Sequence, residues 1–237
     1  MTIEKHESIR YSRLESLGDI GAEGVARLRA GRVLVVGCGA LGSLCAMYLA
    51  ASGVGTLGIA DFDTIDLSNL QRQLFFAEDQ LGQSKSAILA MRIHALNSDV
   101  RVIEHRSMIT AEKASEIFSD YDFVVDGSDN PGTKMMTSRV CERLGVPCCI
   151  GGVRGFSGQV SSWAPGHATY AEVFGDVPSC SGFTPCSTGG VLGPAAGIVA
   201  SVQASEAIKH LTGAGQMLYD SLYVFDLAEN SAQVLRF

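Results

Sequence analysis

The stretch Arg32–Gln73, RVLVVGCGALGSLCAMYLAASGVGTLGIADFDTIDLSNLQRQ, decides the fold. Val33–Val36 is an uninterrupted apolar run, the signature of a strand buried on both faces. It leads into Gly37, Gly39 and Gly42 at GxGxxG spacing, then a helix, then a second strand ending at Asp61. That order is the pattern of a nucleotide-binding βαβ unit. The glycines permit a tight turn, let the backbone approach a phosphate or ribose, and let the helix pack on its strand. Asp61, just past the second strand, suits ribose hydroxyls. A GxGxxG turn alone fits a dinucleotide as well as a mononucleotide, so the residues beyond Asp61 must choose between them.

Outward from this unit the chain keeps alternating. A polar loop runs from Asp63 to Phe76 without helical or strand periodicity. Ser84–Asn97 reads as an amphipathic helix with Ile88, Met91 and Ala95 along one face. Strand Arg101–Glu104, helix Thr110–Phe118, strand Phe123–Asp126, helix Lys134–Leu144 and strand Cys148–Ile150 follow. The series predicts an α/β, Rossmann-like doubly wound sheet. Gln159–Trp163 then alternates like an antiparallel strand, and the last short strands, Leu222–Asp226 and Gln233–Phe237, continue that half. Between them lie a Gly/Pro/Ser-rich crossover, residues 164–193, expected to be mobile, and a helix from Pro194 to Leu211. Before the first strand, a charged helical arm spans residues 1–30, reading as Ile3–Leu17 and Ile20–Leu28. Its charge on most faces suggests packing on something outside the core.

Composition bounds the function. A length of 237 residues with 46% hydrophobic content and 27 glycines fits a single well-cored domain. The net charge of −7 argues against a sequence-independent nucleic-acid binder. The N-terminus has no signal-peptide core, and no run approaches the roughly 20 apolar residues of a membrane span, so a cytoplasmic protein that meets neither nucleic acid nor membrane is expected. Seven cysteines in such a chain read as thiols or catalytic groups before disulfides. Cys38, Cys45, Cys141, Cys148 and Cys149 fall where small apolar packing is their expected role. His167 and His210 show no sequence partner that suggests a ligand or a base.

Near the glycine turn the chain supplies Asp61, Asp63, Asn69, Arg72, Gln73 and Lys85, and at a later strand end Asp126, Asp129 and Asn130. Two cations with an acidic pair suit a triphosphate: the cations meet phosphate charge and a carboxylate holds Mg²⁺. A nicotinamide site needs little beyond the helix N-terminus. An NAD(P) oxidoreductase and a non-catalytic docking module stay open as rivals.

At these residues the chain resembles a known family. RYSR (Arg10–Arg13), GCGALG, DFDTIDLSNLQRQ, the Lys85 helix, DGSDN, GGVRGFSGQV and CSTGGVLGPAAGIVASVQASEAIK are similar to the ThiF/MoeB/HesA family, bacterial relatives of ubiquitin-activating enzymes. The resemblance runs nearly end to end. It implies an ATP-dependent adenylyltransferase that activates the C-terminal glycine of a small ubiquitin-like sulfur carrier ending in Gly-Gly, within a homodimer. By position it implies that Gly37, Gly39, Ala40, Gly42 and Asp61 hold the adenosine half of ATP. Asp63, Ser68, Asn69, Arg72, Gln73, Lys85 and Asn130 join the ATP site, and Asp129 matches the Mg²⁺ aspartate. Arg13 matches an arginine that reaches the partner subunit's ATP, and Cys186 a mobile-loop cysteine that captures the activated carrier, with Cys180 a weak candidate resolving thiol. The same resemblance leans toward the ThiF branch and thiamine biosynthesis, with MoeB-like activation of a molybdopterin synthase carrier as the alternative. One departure stands out: HATYAEVFG carries Ala168 and Ala171 where relatives carry a zinc-binding cysteine pair, and the expectation is a zinc-free chain.

Overall fold

The computed structural model describes residues 3–175 and 190–237. Among these, one mixed sheet of eight strands has the order β3-β2-β1-β4-β5-β6-β7-β8. The strands are β1 (Arg32–Val36), β2 (Thr56–Ala60), β3 (Arg101–His105), β4 (Phe123–Asp126), β5 (Cys148–Arg154), β6 (Ser157–Trp163), β7 (Ser221–Asp226) and β8 (Ser231–Arg236). β3 to β5 across the first half are parallel, and β5·β6, β6·β7 and β7·β8 are antiparallel. The sheet is therefore the Rossmann-like, parallel-then-antiparallel arrangement that the apolar runs and the later alternation predict.

The helices are α1 (Ile3–Glu15), α2 (Gly21–Ala30), α3 (Gly42–Ala51), α4 (Lys85–Leu96), α5 (Ala111–Phe118), α6 (Pro131–Leu144), α7 (Tyr170–Phe174) and α8 (Gly193–Thr212). Strand pleating splits β1 between two cores. Val33 and Val35 pack with Leu28, Leu49, Leu89, Ile93 and Val199. Leu34 and Val36 pack with Phe118, Val140, Cys141 and Trp163 on the other face. Each such fully buried aliphatic side chain contributes about 1.5–3 kcal/mol of transfer free energy. Both faces of the central parallel strands β1 and β4 are covered, which is why they carry no polar alternation, whereas the edge strand β3 keeps Arg101, Glu104 and His105 partly in solvent. None of the described helices is long and apolar enough to cross a membrane.

Four expectations are corrected here. In α4 Ile88 is buried as expected, with Ser86, Leu89, Ile93 and then Asn97, whereas Met91 is 65% exposed and Ala95 is exposed; the buried face is turned away from the Met91–Ala95 side assigned by periodicity. The arm does pack on its own core: Tyr11 is buried, and Arg10 Nη1 donates to the Leu96 carbonyl at 2.9 Å. Asn97, fully buried after the last turn of α4, donates from Nδ2 to Tyr11 Oη and to the Ala50 carbonyl, both at 2.8 Å. That side chain joins the arm to α3 and α4.

The remaining two concern the crossover. Its described part contains α7, opened by a capping box in which Thr169 Oγ1 accepts from Glu172 N–H while Glu172 Oε2 accepts from Thr169 N–H. His167 has a firm partner: Nδ1 lies 2.7 Å from Asp220 Oδ2, the ring stacks on Tyr219, and Ala168 N–H donates to Asp220 Oδ1 at 2.8 Å. A left-handed Asp220, at φ 50°, aims its carboxylate at this turn. Cys180, Cys186 and the rest of residues 176–189 of the segment expected to be mobile lie outside the described residues.

Candidate active site

The order of the sheet reverses at β1, which has β2 on one side and β4 on the other. In an open α/β sheet a crevice forms at the carboxyl ends of the strands on either side of such a reversal. Here that crevice is a cleft of about 570 Å³. Its walls come from the β1–α3 turn, the loop after β2, the loops after β3 and β4, and the glycines Gly152 and Gly190.

The glycine turn forms the floor. Gly37 has φ 86°, a left-handed conformation costly for other residues, and a side chain there would meet the backbone of Gly127 and Ser128. A Cβ on Gly42 would sit 1.7 Å from the Gly37 carbonyl. Gly42 thus serves the close approach of α3 to β1 and does not line the cleft, whereas Gly37, Gly39 and Ala40 do. No side chain caps the N-terminus of α3, and of its first N–H groups that of Ser43 is already taken by the Gly39 carbonyl at 3.1 Å; the positive end of the helix still favours an anion there.

Asp61 closes one side. Its Oδ2 accepts from Cys38 N–H at 2.6 Å and its Oδ1 from Asp63 N–H at 2.7 Å. Burial raises its pKa, opposed by those two N–H bonds and by the Lys85 charge. Gln73 is buried at the same wall; its Oε1 has no hydrogen-bond partner, and its amide nitrogen faces Gly39. An orphaned acceptor at a cleft wall is a group held ready for a ligand or water.

The cations sit on the opposite side of that loop. Lys85 lies in the first turn of α4 and is buried; its Nζ donates to Asp63 Oδ2 at 3.0 Å, and Asp63 is itself half exposed. Arg72 is tethered by Nη1 donating to the Ser68 carbonyl at 2.9 Å. Both line the cleft, so neither is a solvated surface charge of the usual kind. Ser68 and Asn69 do not reach it: with Asp66 they cap the short 3₁₀ turn Leu67–Asn69. Their contribution is to present the Arg72 backbone.

At the end of β4 the two acidic residues part company. Asp126 is fully buried; its Oδ1 accepts from Ser128 N–H and Oγ and pairs with Lys134 Nζ at 3.3 Å. It is not available to a metal, which corrects the reading of an acidic pair. Asp129 is exposed in the cleft, and among the described residues nothing bonds to it. Asn130 lines the cleft while its Oδ1 caps α6 by accepting from Thr133 N–H at 3.1 Å. No group of three or more His, Cys, Asp or Glu among the described residues could hold a metal. A single free carboxylate suits Mg²⁺, which is commonly held by one or two carboxylates together with substrate phosphates.

Arg13 is exposed on α1 and does not line this cleft. Several cleft residues carried no sequence signal as site residues: Phe62, Ser107–Ile109, Thr133, Lys134 and Val153; Gln71, inside the Ser68–Arg72 run that the resemblance marks for ATP, also lines the cleft. Ser107–Ile109 follow β3 at the same sheet edge as Asp61, and that placement was available from the βαβ order. Of the free thiols, burial raises the pKa of Cys38, Cys45 and Cys149, and the hydrogen bond with Cys141 together with burial raises that of Cys148, so all four are inert packing groups.

A nucleotide-scale cleft at the switch point of a doubly wound sheet, with an uncapped helix N-terminus, two cations and one free carboxylate, fits a phosphate-handling α/β protein. The chain belongs to the ThiF family, whose model matches residues 11–237. It is 40% identical over 236 residues to "Adenylyltransferase and sulfurtransferase MOCS3" of Caenorhabditis briggsae, covering 99% of this chain and 59% of that protein. It is 38% identical over 238 residues to "Probable adenylyltransferase/sulfurtransferase MoeZ" of Mycobacterium tuberculosis, covering 98% and 61%. The chain thus spans about half to three fifths of the length of the curated relatives it matches. The fold is also that of E. coli MccB solved with ATP, with a TM-score of 0.84 at 23% identity over 96% of this chain and 71% of that one.

Proposed function

We propose that the protein is an ATP-dependent adenylyltransferase acting on the C-terminal carboxylate of a small ubiquitin-like sulfur carrier ending in Gly-Gly. The observation that carries this reading is the convergence of the Gly37–Ala40 turn, Arg72, Lys85 and the unpaired Asp129 carboxylate in one cleft. A hydride-transfer site would need no such opposed cations and free carboxylate. The adenylyltransferase relatives support the same chemistry.

The carrier's carboxylate attacks the α-phosphorus of ATP, the bond to the β-phosphate oxygen breaks, and pyrophosphate leaves with the electron pair. At neutral pH the nucleophile is already ionised, so no general base is needed. Rate comes from alignment and charge stabilisation. Lys85 and Arg72 face the charge developing on the phosphates, and Asp61 and Gln73 orient the ribose end. Asp129 would hold Mg²⁺, which when bound neutralises phosphate charge. The glycines Gly152 and Gly190 leave room beside the reacting centre for an extended Gly-Gly tail. Arg13 of a second subunit would complete the phosphate shell in a homodimer. Thiamine biosynthesis is the weaker pathway reading: the relatives are named for adenylyl and sulfur transfer of the MOCS3 and MoeZ type, which favours the MoeB-like alternative. Cys186 remains the proposed site of carrier capture.

ATP/pyrophosphate exchange with purified carriers, read with intact mass, tests this. Asp129→Ala is expected to abolish exchange, and Cys186→Ala to retain exchange while losing any covalent carrier adduct. Normal exchange by Asp129→Ala would refute the metal assignment.

A further inference from the structure

Lys134 is a buried lysine in the first turn of α6, with 9% of its side chain exposed, and it lines the cleft. An ammonium has three protons to donate. Here all three are taken: by the Gly151 carbonyl at 2.6 Å, by the Ser128 carbonyl, and by Asp126 Oδ1 at 3.3 Å. Nothing is left for a phosphate, so the residue is no third cation beside Arg72 and Lys85.

What it grips decides its role. Ser128 is the residue before Asp129, and Gly151 the residue before Gly152 of β5, which also lines the cleft. The same ammonium therefore ties the loop carrying the free carboxylate to β5. Asp126, the third partner, accepts from Ser128 N–H and Oγ through Oδ1, while its Oδ2 has no hydrogen-bond partner. Gln203 of α8 donates to the Asp126 carbonyl at 2.7 Å from behind. Without Lys134 the loop would lose both its carbonyl anchor and the charge that balances Asp126 beneath a site built for phosphates.

We propose that Lys134 is a positioning residue that, by clamping the Ser128 and Gly151 carbonyls, fixes the Asp129 carboxylate where it can receive a divalent cation bound to a nucleoside triphosphate. This rests on the adenylation reading only through Asp129. Groups one bond removed from a metal carboxylate commonly govern metal affinity without touching the ion.

The test is calorimetric titration of ATP into the full chain across a series of Mg²⁺ concentrations, with AMP as the metal-independent ligand. Lys134→Met is expected to raise the Mg²⁺ concentration for half-maximal ATP binding by about tenfold or more, with AMP affinity held within about twofold. In an Asp129→Ala background Lys134→Met should add no further change beyond about twofold, since two residues acting through one carboxylate are not additive. Lys134→Arg keeps the charge, but its planar fork cannot meet three converging acceptors as an ammonium does. It should give a smaller rise, and it is the variant to read if Lys134→Met does not fold. An unchanged Mg²⁺ dependence in whichever variant folds overturns the proposal, as does a loss of AMP and ATP affinity in step. If the wild-type protein binds ATP with no Mg²⁺ dependence, the metal role of Asp129 falls first, and the proposal with it.

Discussion

At the carboxyl edge of the sheet two lysine–aspartate pairs stand at the cleft or just beneath it, and they use their charges in opposite ways. After β2, Lys85 has a single side-chain acceptor, Asp63, whose side chain is 52% exposed. After β4, Lys134 meets Asp126, whose side chain is fully buried, and two carbonyls besides. The first ammonium keeps two protons for a ligand; the second keeps none. Burial of the partner carboxylate, and not the identity of the cation, separates a group that can do chemistry from one that holds the chemistry in place. A half-exposed partner leaves the pair screened and cheap to rearrange, whereas a buried pair is costly to break because the survivor cannot be rehydrated.

The widest gap between the two loops should show in stability. Lys134→Met is expected to cost about 3–5 kcal/mol of unfolding free energy, the range for an ion stranded in the interior. The double change Asp126→Asn, Lys134→Met should return part of it, because no charge is then left unpaired. Urea denaturation of the two variants against wild type measures both. A loss below about 1 kcal/mol for Lys134→Met would place the pair in the surface class and erase the contrast.

Next in size is the converse at Lys85. Lys85→Ala should lower the exchange rate by about 10²–10³-fold, as expected for removing one preorganised donor to a developing charge. Its unfolding free energy should fall by no more than about 1 kcal/mol. Exchange kinetics and the same denaturation series read the two together. If Lys85→Ala proved as destabilising as Lys134→Met, both lysines would be struts, and Arg72 would be left as the only phosphate cation of this chain's own cleft wall.

That division was only half legible in the amino-acid sequence. The parallel half of the sheet could be read from Val33–Val36 and Phe123–Asp126, because strands buried on both faces lack polar alternation. The turn to antiparallel pairing was visible in Gln159–Trp163, where alternation returns. Lys85 stood out beside Arg72 and a polar loop. Lys134 did not, since a lysine in a first helical turn usually faces solvent, and only the approach of β5 and the Ser128 carbonyl gives it acceptors. Asp126 and Asp129 were indistinguishable by type and spacing; the strand buries one, and the loop exposes the other. The helix at Tyr170–Phe174 does have a local signal, the T-x-x-E capping box of Thr169–Glu172. Partnership of His167 with Asp220 joins residues far apart in the chain, and no local pattern encodes it.

The finest distinction lies within the β2 loop, between Asp61 and Asp63, both drawn on by the same lysine. Asp61 is the more deeply placed, and burial raises its pKa above the ordinary aspartate value despite two N–H bonds and Lys85. A raised pKa means that the folded chain binds this proton more tightly than the unfolded chain does. Between the ordinary aspartate pKa and that of Asp61, falling pH therefore adds to folding stability through this group and removes the charge that faces the ribose. Adenosine, which has no titrating phosphate, should bind more weakly across that window, with the loss beginning at a higher pH than an ordinary aspartate would give. Asp61→Asn should flatten this limb of the binding curve. The difference in stability between wild type and Asp61→Asn should move the other way over the same interval. Elsewhere, lowered carboxylates such as Asp220 and Asp226 lose stability on acidification, so only the difference curve isolates Asp61. If adenosine affinity and that difference curve fell together as pH dropped, the folded-state pKa of Asp61 would lie below the ordinary aspartate value, and its burial would not govern recognition.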